Sequence, residues 1–216
     1  MRGMLSSVRF LGAFCFVFLV GCGPANQDAQ KKDEKADPIK AASQEPTVPQ
    51  PGETMQRFDL NKDKKPDMWK FFVEKPDPRD GSKKIRELVR IEVDLNGDNR
   101  VDIQRFYENG VKVRERFDLD YDGKFDLVNH YSQGYLIKQE IFQRSQTIPD
   151  LVKHFEVIEE KGKKKKKVRL ARKERDQNLD GKPDYWEYWE NGMLDRIGRD
   201  TDFDGKVDVW ERPQAN

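Results

Sequence analysis

The residues of this 216-residue chain best placed to do chemistry are its aspartates. Seventeen of the 24 fall in five copies of one nine-residue pattern, starting at Asp59 (DLNKDKKPD), Asp94 (DLNGDNRVD), Asp118 (DLDYDGKFD), Asp176 (DQNLDGKPD) and Asp200 (DTDFDGKVD). Every copy has Asp first, Asp or Asn third, Asp fifth and Asp ninth. Alternate side-chain oxygens around a tight turn point inward together, and a Ca²⁺ ion takes six to eight such hard oxygens at about 2.3–2.6 Å. The candidate ligands are Asp59, Asn61, Asp63 and Asp67, then Asp94, Asn96, Asp98 and Asp102, then Asp118, Asp120, Asp122 and Asp126. The last two copies supply Asp176, Asn178, Asp180 and Asp184, and Asp200, Asp202, Asp204 and Asp208. Asp, Asn and Gly favour turns even without an ion, but five copies in register argue for one. Without a cation each loop gathers like charges that resist closure, so binding of several calcium ions should be coupled to folding.

The pattern resembles the calcium loop of EF-hands, and similar acidic loops occur in dockerins, thrombospondin type 3 repeats and FG-GAP repeats. The resemblance implies Gly at position six for the sharp bend and a bidentate Glu at position twelve. Gly181 with Glu187 and Gly205 with Glu211 complete it, so the two C-terminal loops rank first. The loop at Asp118 has Gly123 but Asn129 at position twelve. The loops at Asp94 and Asp59 carry Arg105 and Lys70 there, and a cation cannot ligate, so they rank last. Pro66 and Pro183 at position eight lack the N–H that paired EF-hand loops exchange.

The elements that must position these loops are legible from their spacing. A sixth, degenerate copy begins at Phe142 (FQRSQTIPD) and keeps only the terminal Pro-Asp. The first, second and third starts recur 83, 82 and 82 residues later, which implies two three-unit modules, 54–136 and 137–213. After each loop come apolar positions and aromatics, as in Met68-Trp69 with Phe71-Phe72 and Tyr185-Trp186 with Tyr188-Trp189. Turn signals follow at Asn109-Gly110, Gln133-Gly134 and Asn191-Gly192. The return arm alternates Val111, Val113 and Phe117 against Lys112, Arg114 and Arg116, a period of two that predicts a half-buried strand. About seven residues between loop and turn are too few for an ordinary helix. The expected fold class is all-β: six tandem β-hairpin units joined by acidic calcium-type loops. Longer hairpins are expected over 68–93, around Pro78-Arg79-Asp80-Gly81, and over 151–173, around Lys161-Gly162. The opening arm near Met55 and the closing arm near Val209 could pair and hide an edge.

Residues 1–21 read as a signal peptide: Arg2 and Arg9 precede an uncharged run from Phe10 to Val20 that is too short to span a membrane. The run ends in Leu19-Val20-Gly21-Cys22, which resembles the lipobox of bacterial lipoproteins. The resemblance implies cleavage before Cys22 and acylation of its thiol (palmitate among the chains) and of its new amine, a two-chain anchor that holds stably. Gly23 rather than Asp after the Cys implies the outer membrane of a Gram-negative bacterium. Residues 22–53, almost free of aliphatic and aromatic side chains, read as the lipidated Cys and a disordered tether. Cys15 leaves with the signal and Cys22 carries lipid, so no disulfide remains, and metal becomes the expected staple of a thin core.

Removal of Arg2 and Arg9 leaves 39 basic against 40 acidic side chains, which excludes a globally basic, specific nucleic-acid binder. Ten basic residues between Lys161 and Arg175, including the run Lys163 to Lys167, offer an anionic-surface contact but read first as a solvated hairpin tip. His130 and His154 share one repeat position, filled elsewhere by Phe71, Phe106 and Tyr188, and so read as sheet residues. With no nucleophile elbow, phosphate loop or zinc-spaced cluster, no catalytic residue is assigned and the chain is not expected to be an enzyme. The expectation is a membrane-anchored, calcium-binding envelope lipoprotein that serves as a structural or interaction module, with an envelope protein or glycan as partner. Two alternatives are a dockerin-like protein–protein module, which requires helices after the loops, and a carbohydrate binder or hydrolase accessory using Trp186 and Trp189.

Overall fold

The computed structural model describes residues 48–159, 162 and 165–213. The signal peptide, Cys22, most of the tether, Lys161, Lys163 and Lys164 lie outside the described residues. The described chain is all-β, as its periodicity predicts, with no helix among the described residues. The first six strands are β1 (Glu53–Phe58), β2 (Met68–Asp77), β3 (Asp80–Val93), β4 (Ile103–Glu108), β5 (Val111–Phe117) and β6 (Leu127–Ser132). Six more follow: β7 (Tyr135–Ile141), β8 (Leu151–Ile158), β9 (Lys167–Arg175), β10 (Tyr185–Glu190), β11 (Met193–Arg199) and β12 (Val209–Glu211).

All twelve form one sheet in chain order, each strand antiparallel to its sequence neighbours. Five full hairpins result, with single arms β1 and β12 at the two ends. The boundary between 136 and 137 falls inside β7, and the sheet continues through it, β7 pairing with both β6 and β8. The terminal arms do not meet: β1 pairs with β2 and β12 with β11, so the sheet is open. β12 is only three residues long and exposed throughout, which blunts that free edge. Strands follow every loop, where the dockerin-like alternative requires helices.

The tight turns owe their form to backbone handedness. Asn109 and Gly110 lie at φ 50° and 75°, Gln133 and Gly134 at 51° and 81°, and Asn191 and Gly192 at 53° and 81°. Two consecutive left-handed residues match the twist of the arms they join, and Asn and Gly adopt that region at least cost.

Each hairpin also carries a bulge at one repeat position that the alternation of residues does not reveal. The register slips between Phe71 and Phe72, Phe106 and Tyr107, His130 and Tyr131, His154 and Phe155, and Tyr188 and Trp189. Val89, Val113, Ile137, Ala171 and Asp195 are the extra residues on the return arms. The slip corrects the expectation of a simple apolar face on β5. Across the bulge at Val113 the alternation restarts, so Arg114 and Arg116 share one face while Glu115 and Phe117 share the other. Arg116 is buried and Val111 exposed, the reverse of their polarity.

The core sits at the loop end of the sheet, where Trp69, Phe71, Ile91, Val93, Val128 and Trp186 are buried together with Val101 and Phe125 from the loops themselves. Apolar residues at the hairpin tips, such as Met193 and Val111, stay exposed. The loops therefore cover the core as well as connect the strands. Phe71, 0% exposed, should cost about 3–5 kcal/mol when replaced in Phe71→Ala, measured by equilibrium urea unfolding. Met193→Ala, at an exposed tip, should stay within about 0.5 kcal/mol of the parent.

Candidate metal centres at the loop end of the sheet

Each acidic loop is closed by its own carboxylates accepting backbone hydrogen bonds. In the loop at Asp118, the first-position carboxylate accepts from Tyr121 N and Gly123 N, both at 2.8 Å. Asp120 accepts from Asp122 N at 3.2 Å, Asp122 from Lys124 N at 2.8 Å, and Asp126 from Leu119 N at 2.7 Å. The same bonds recur in the other acidic loops, for example Lys62 N and Lys64 N to Asp59 and Phe203 N and Gly205 N to Asp200. They hold position four as well as position six left-handed: Lys62, Tyr121, Leu179 and Phe203 have φ of 62–69°. Sequence reasoning asked only for Gly at position six. A side chain at position four carries conformational strain that the two bonds to the first Asp offset.

The loops are then tied into a row. The N–H of the first residue of each loop donates to the carbonyl of the ninth residue of the loop before: Asp94 to Asp67, Asp118 to Asp102, Phe142 to Asp126, Asp176 to Asp150 and Asp200 to Asp184. This brings carboxylates side by side along the sheet end, and most are buried. Burial raises the Asp102 carboxyl above the ordinary carboxylate value, and the neighbouring charges of Asp94 and Asp118 raise it further. Burial likewise raises Asp118, with Asp126 and Asp122 adding to it.

At two loops the carboxylates converge on one point. Asp118, Asp120 and Asp126 each place an oxygen within 4.8 Å of the others, and so do Asp200, Asp202 and Asp208. These two triads, at positions one, three and nine, could hold a metal ion, and three carboxylates suit a hard cation. Position five is turned away: Asp122 takes Lys124 Nζ at 2.7 Å and Asp204 takes Lys206 Nζ at 2.8 Å.

Position twelve does not join the loops, contrary to the EF-hand expectation. Glu187 binds Lys173 at 2.7 Å and Trp189 Nε1 at 3.1 Å, and Glu211 binds Arg199 at 2.8 Å. The physical reason is the strand: three extended residues carry position twelve about 10 Å from position nine, where a helix would turn it back. The ranking of the loops changes accordingly. The loop at Asp118 enters the leading pair and the loop at Asp176 leaves it. In the loops at Asp59, Asp94 and Asp176 the third residue is Asn, whose amide Nδ2 donates to the fifth Asp at 3.2–3.3 Å.

Other candidate residues lie elsewhere on the sheet. His130 on β6 bonds Glu140 at 2.7 Å, and His154 on β8 bonds Glu174 at 2.9 Å. Trp186 is only 7% exposed, so it offers no platform to a sugar, and Lys173 lies 4.8 Å over the half-buried Trp189 ring. These ion pairs escaped sequence reasoning because they depend on cross-strand register, which the repeated bulge shifts.

No family model matches the chain, and no curated protein does. Among solved structures the chain is similar to one from the crystal structure of the GtfA/B complex, at 15% identity and a TM-score of 0.37. That similarity covers 51% of this chain and 19% of the other, so the chain spans about a fifth of it. At that level the likeness does not establish a shared fold.

The Glu140 carboxyl gives a pH signature. Burial pushes it up, but hydrogen bonds from His130 and Lys138 overcome that and hold it at about 2, against 4.5 ordinarily. A carboxyl depressed by folding stabilises fully above its unfolded value and loses that stabilisation as pH falls through its folded value. Its contribution should therefore vanish between about pH 4.5 and pH 2. NMR titration of the Glu140 carboxyl carbon should place its midpoint near 2, rising toward 4.5 in Lys138→Ala. An unmoved midpoint in that variant would rule out the ammonium as a cause.

Proposed function

We propose that this chain is a lipid-anchored, calcium-binding β-sheet scaffold of the bacterial envelope, acting as a structural or interaction module rather than as an enzyme. The observation that carries the reading is the row of buried aspartates at the loop end, with its two convergent triads. The carboxylates repel one another, and the buried ones, Asp118 and Asp200 in the triads, also lose hydration while their triad partners stay partly or fully exposed; a bound divalent cation relieves both costs. Asp118, Asp120 and Asp126 would hold one ion, and Asp200, Asp202 and Asp208 another. The ion supplies positive charge and cross-links a loop to itself, while the residues supply hard oxygens already oriented by backbone hydrogen bonds. Calcium fits this donor set better than softer metals, because no His or Cys accompanies the carboxylates in either triad.

Extracellular modules bind calcium at about 10⁻⁴–10⁻³ M, within reach of the plentiful calcium outside cells, so the ion acts as a constitutive staple rather than a signal. The lipobox ending in Cys22 supports attachment to the outer membrane, and residues 22–53 supply the tether. The partner would be another envelope protein or a glycan. Trp210, 52% exposed on the edge strand β12, is the aromatic best placed to meet one.

Two measurements test the proposal on the full-length chain in detergent. At ten times the Kd each ion contributes about 1.4 kcal/mol, and each kcal/mol moves Tm by about 2–4 °C in a domain of this size. Chelation should therefore lower Tm by several degrees and calcium should restore it, with a smaller response in Asp118→Asn and Asp200→Asn. An unchanged Tm after thorough chelation would defeat the calcium reading. Separately, Cys22→Ser should abolish incorporation of labelled palmitate and release the protein from the membrane fraction; retention of label would defeat the lipid-anchor reading.

A further inference from the structure

The six loops differ in what answers the charge of their ninth residue. In the first loop, Asn61 Nδ2 lies 3.3 Å from Asp67 Oδ1, so the loop's own amide donates to that oxygen. In the fourth, degenerate loop, the residue at the same third position is Arg144. Its Nε donates to Asp150 Oδ1, and its two terminal nitrogens donate to the carbonyls of Asp176 and Gln177 at 2.8 Å. A guanidinium thus answers the charge of the ninth residue, and Phe142 replaces the first Asp. The first loop of each three-loop set is thus closed from within.

The second loop of each set lacks that closure. Asp102 is 0% exposed and Asp184 3%. Their Oδ2 atoms take Leu95 N at 2.5 Å and Gln177 N at 2.6 Å, just as Asp67 takes Leu60 N at 2.7 Å. Oδ2 is engaged in the same way in each loop, so Oδ1 is the oxygen that Asn61 bonds in the first loop and Arg144 in the fourth. In both residues that Oδ1 has no hydrogen-bond partner. Asn96 and Asn178 donate to Asp98 and Asp180 just as Asn61 does to Asp63, but neither makes the second bond to the ninth Asp that Asn61 makes. A buried carboxylate oxygen left without a donor costs several times an ordinary hydrogen bond, and these two recur 82 residues apart.

We propose that the loops at Asp94 and Asp176 are calcium sites too, built on Asp94 with Asp102 and Asp176 with Asp184, whereas the loops at Asp59 and Phe142 are closed by Asn61 and Arg144. This rests on calcium being the ion of the two triads. Each chain then takes four ions, two at triads and two at second loops, although the sequence writes the acidic pattern five times. The residue at position three selects the occupant: a carboxylate, or an amide that bonds only the fifth Asp, leaves the ninth Asp to a cation, while an amide or a guanidinium that bonds the ninth Asp answers it from within.

Equilibrium dialysis of the full-length chain against radioactive Ca²⁺ at millimolar concentration tests the count. Four ions per chain are expected, with one fewer in Asp102→Asn and one fewer in Asp184→Asn. Asn61→Asp adds a carboxylate between Asp59 and Asp67 and should raise the count to five, which keeps the test open if a core variant misfolds. Two ions, unaltered by Asp102→Asn, would overturn the second-loop sites and leave the triads standing. Five ions in the unmodified chain would overturn closure by Asn61. No bound calcium would instead defeat the calcium reading itself.

Discussion

The constraint on which the rest depends is a conflict between hydrogen bonding and charge at one end of the sheet. Every acidic loop needs acceptors for a run of inward-pointing N–H groups, and a short Asp side chain is the residue that reaches them. The first Asp of a loop accepts two such bonds and the ninth accepts one or two more. The solution works only while the carboxylates remain acceptors. Stitching the loops through the N–H of one and the carbonyl of the next then packs those carboxylates together, away from water. The geometry that satisfies the backbone therefore creates a charge that the backbone cannot neutralise. Protonation would remove the charge, as the raised Asp102 and Asp118 carboxyls indicate, but would also remove acceptors. A cation removes the charge and keeps them.

The faces of the sheet meet a related constraint. A single open layer cannot bury two apolar surfaces, and this one buries charge among its apolar groups instead. Arg90 lies 3.9 Å over the Phe71 ring and reaches Glu53 and Glu92, and Glu115 accepts from Arg105, Lys112 and Tyr131. Long cationic side chains cover rings with their apolar stems while their charged heads meet carboxylates. Such contacts stiffen the layer but rank below apolar burial in energy, since the attraction within a buried ion pair roughly offsets its desolvation. The apolar core lies against the loops, so loosening a loop would uncover Val101 or Phe125 as well as free a carboxylate. Loop closure and core burial are therefore coupled in this fold.

Much of this was legible in the residues. The five acidic copies, the Asn-Gly turns and the seven-residue spacing point to strands and to loops gathered at one sheet end, because those are short-range signals. What was hidden depends on register or on groups far apart in sequence. The bulge opposite Phe106 and Tyr107 leaves no mark in the polarity of β5, so the burial of Arg116 could not be read. Glu187 and Glu211 matched a ligand position in a loop that continues as a helix, and extended backbone took them to Lys173 and Arg199 instead. The pairing imagined for the terminal arms requires a curvature that no local pattern encodes. Left-handed Tyr121 and Leu179 are the exception: their N–H groups donate to Asp118 and Asp176 only three places earlier, but neither residue type marks that backbone region.

The degenerate loop explains how such a row can persist in a chain of nearly balanced charge. Were all six loops acidic, the middle of the sheet would carry an unbroken line of carboxylates, and folding before ion capture would meet repulsion along its whole length. Phe142 and Arg144 interrupt that line at its centre, one by apolar burial and the other by a fixed cation that also binds the carbonyls of the loop that follows. The loop between strands β7 and β8 is thus closed by groups of the chain itself. The guanidinium is delivered by the chain itself, so the charge of Asp150 is answered without any added ion. The built-in cation thus sits between the two sets of acidic loops, where it divides the row of carboxylates into two shorter runs.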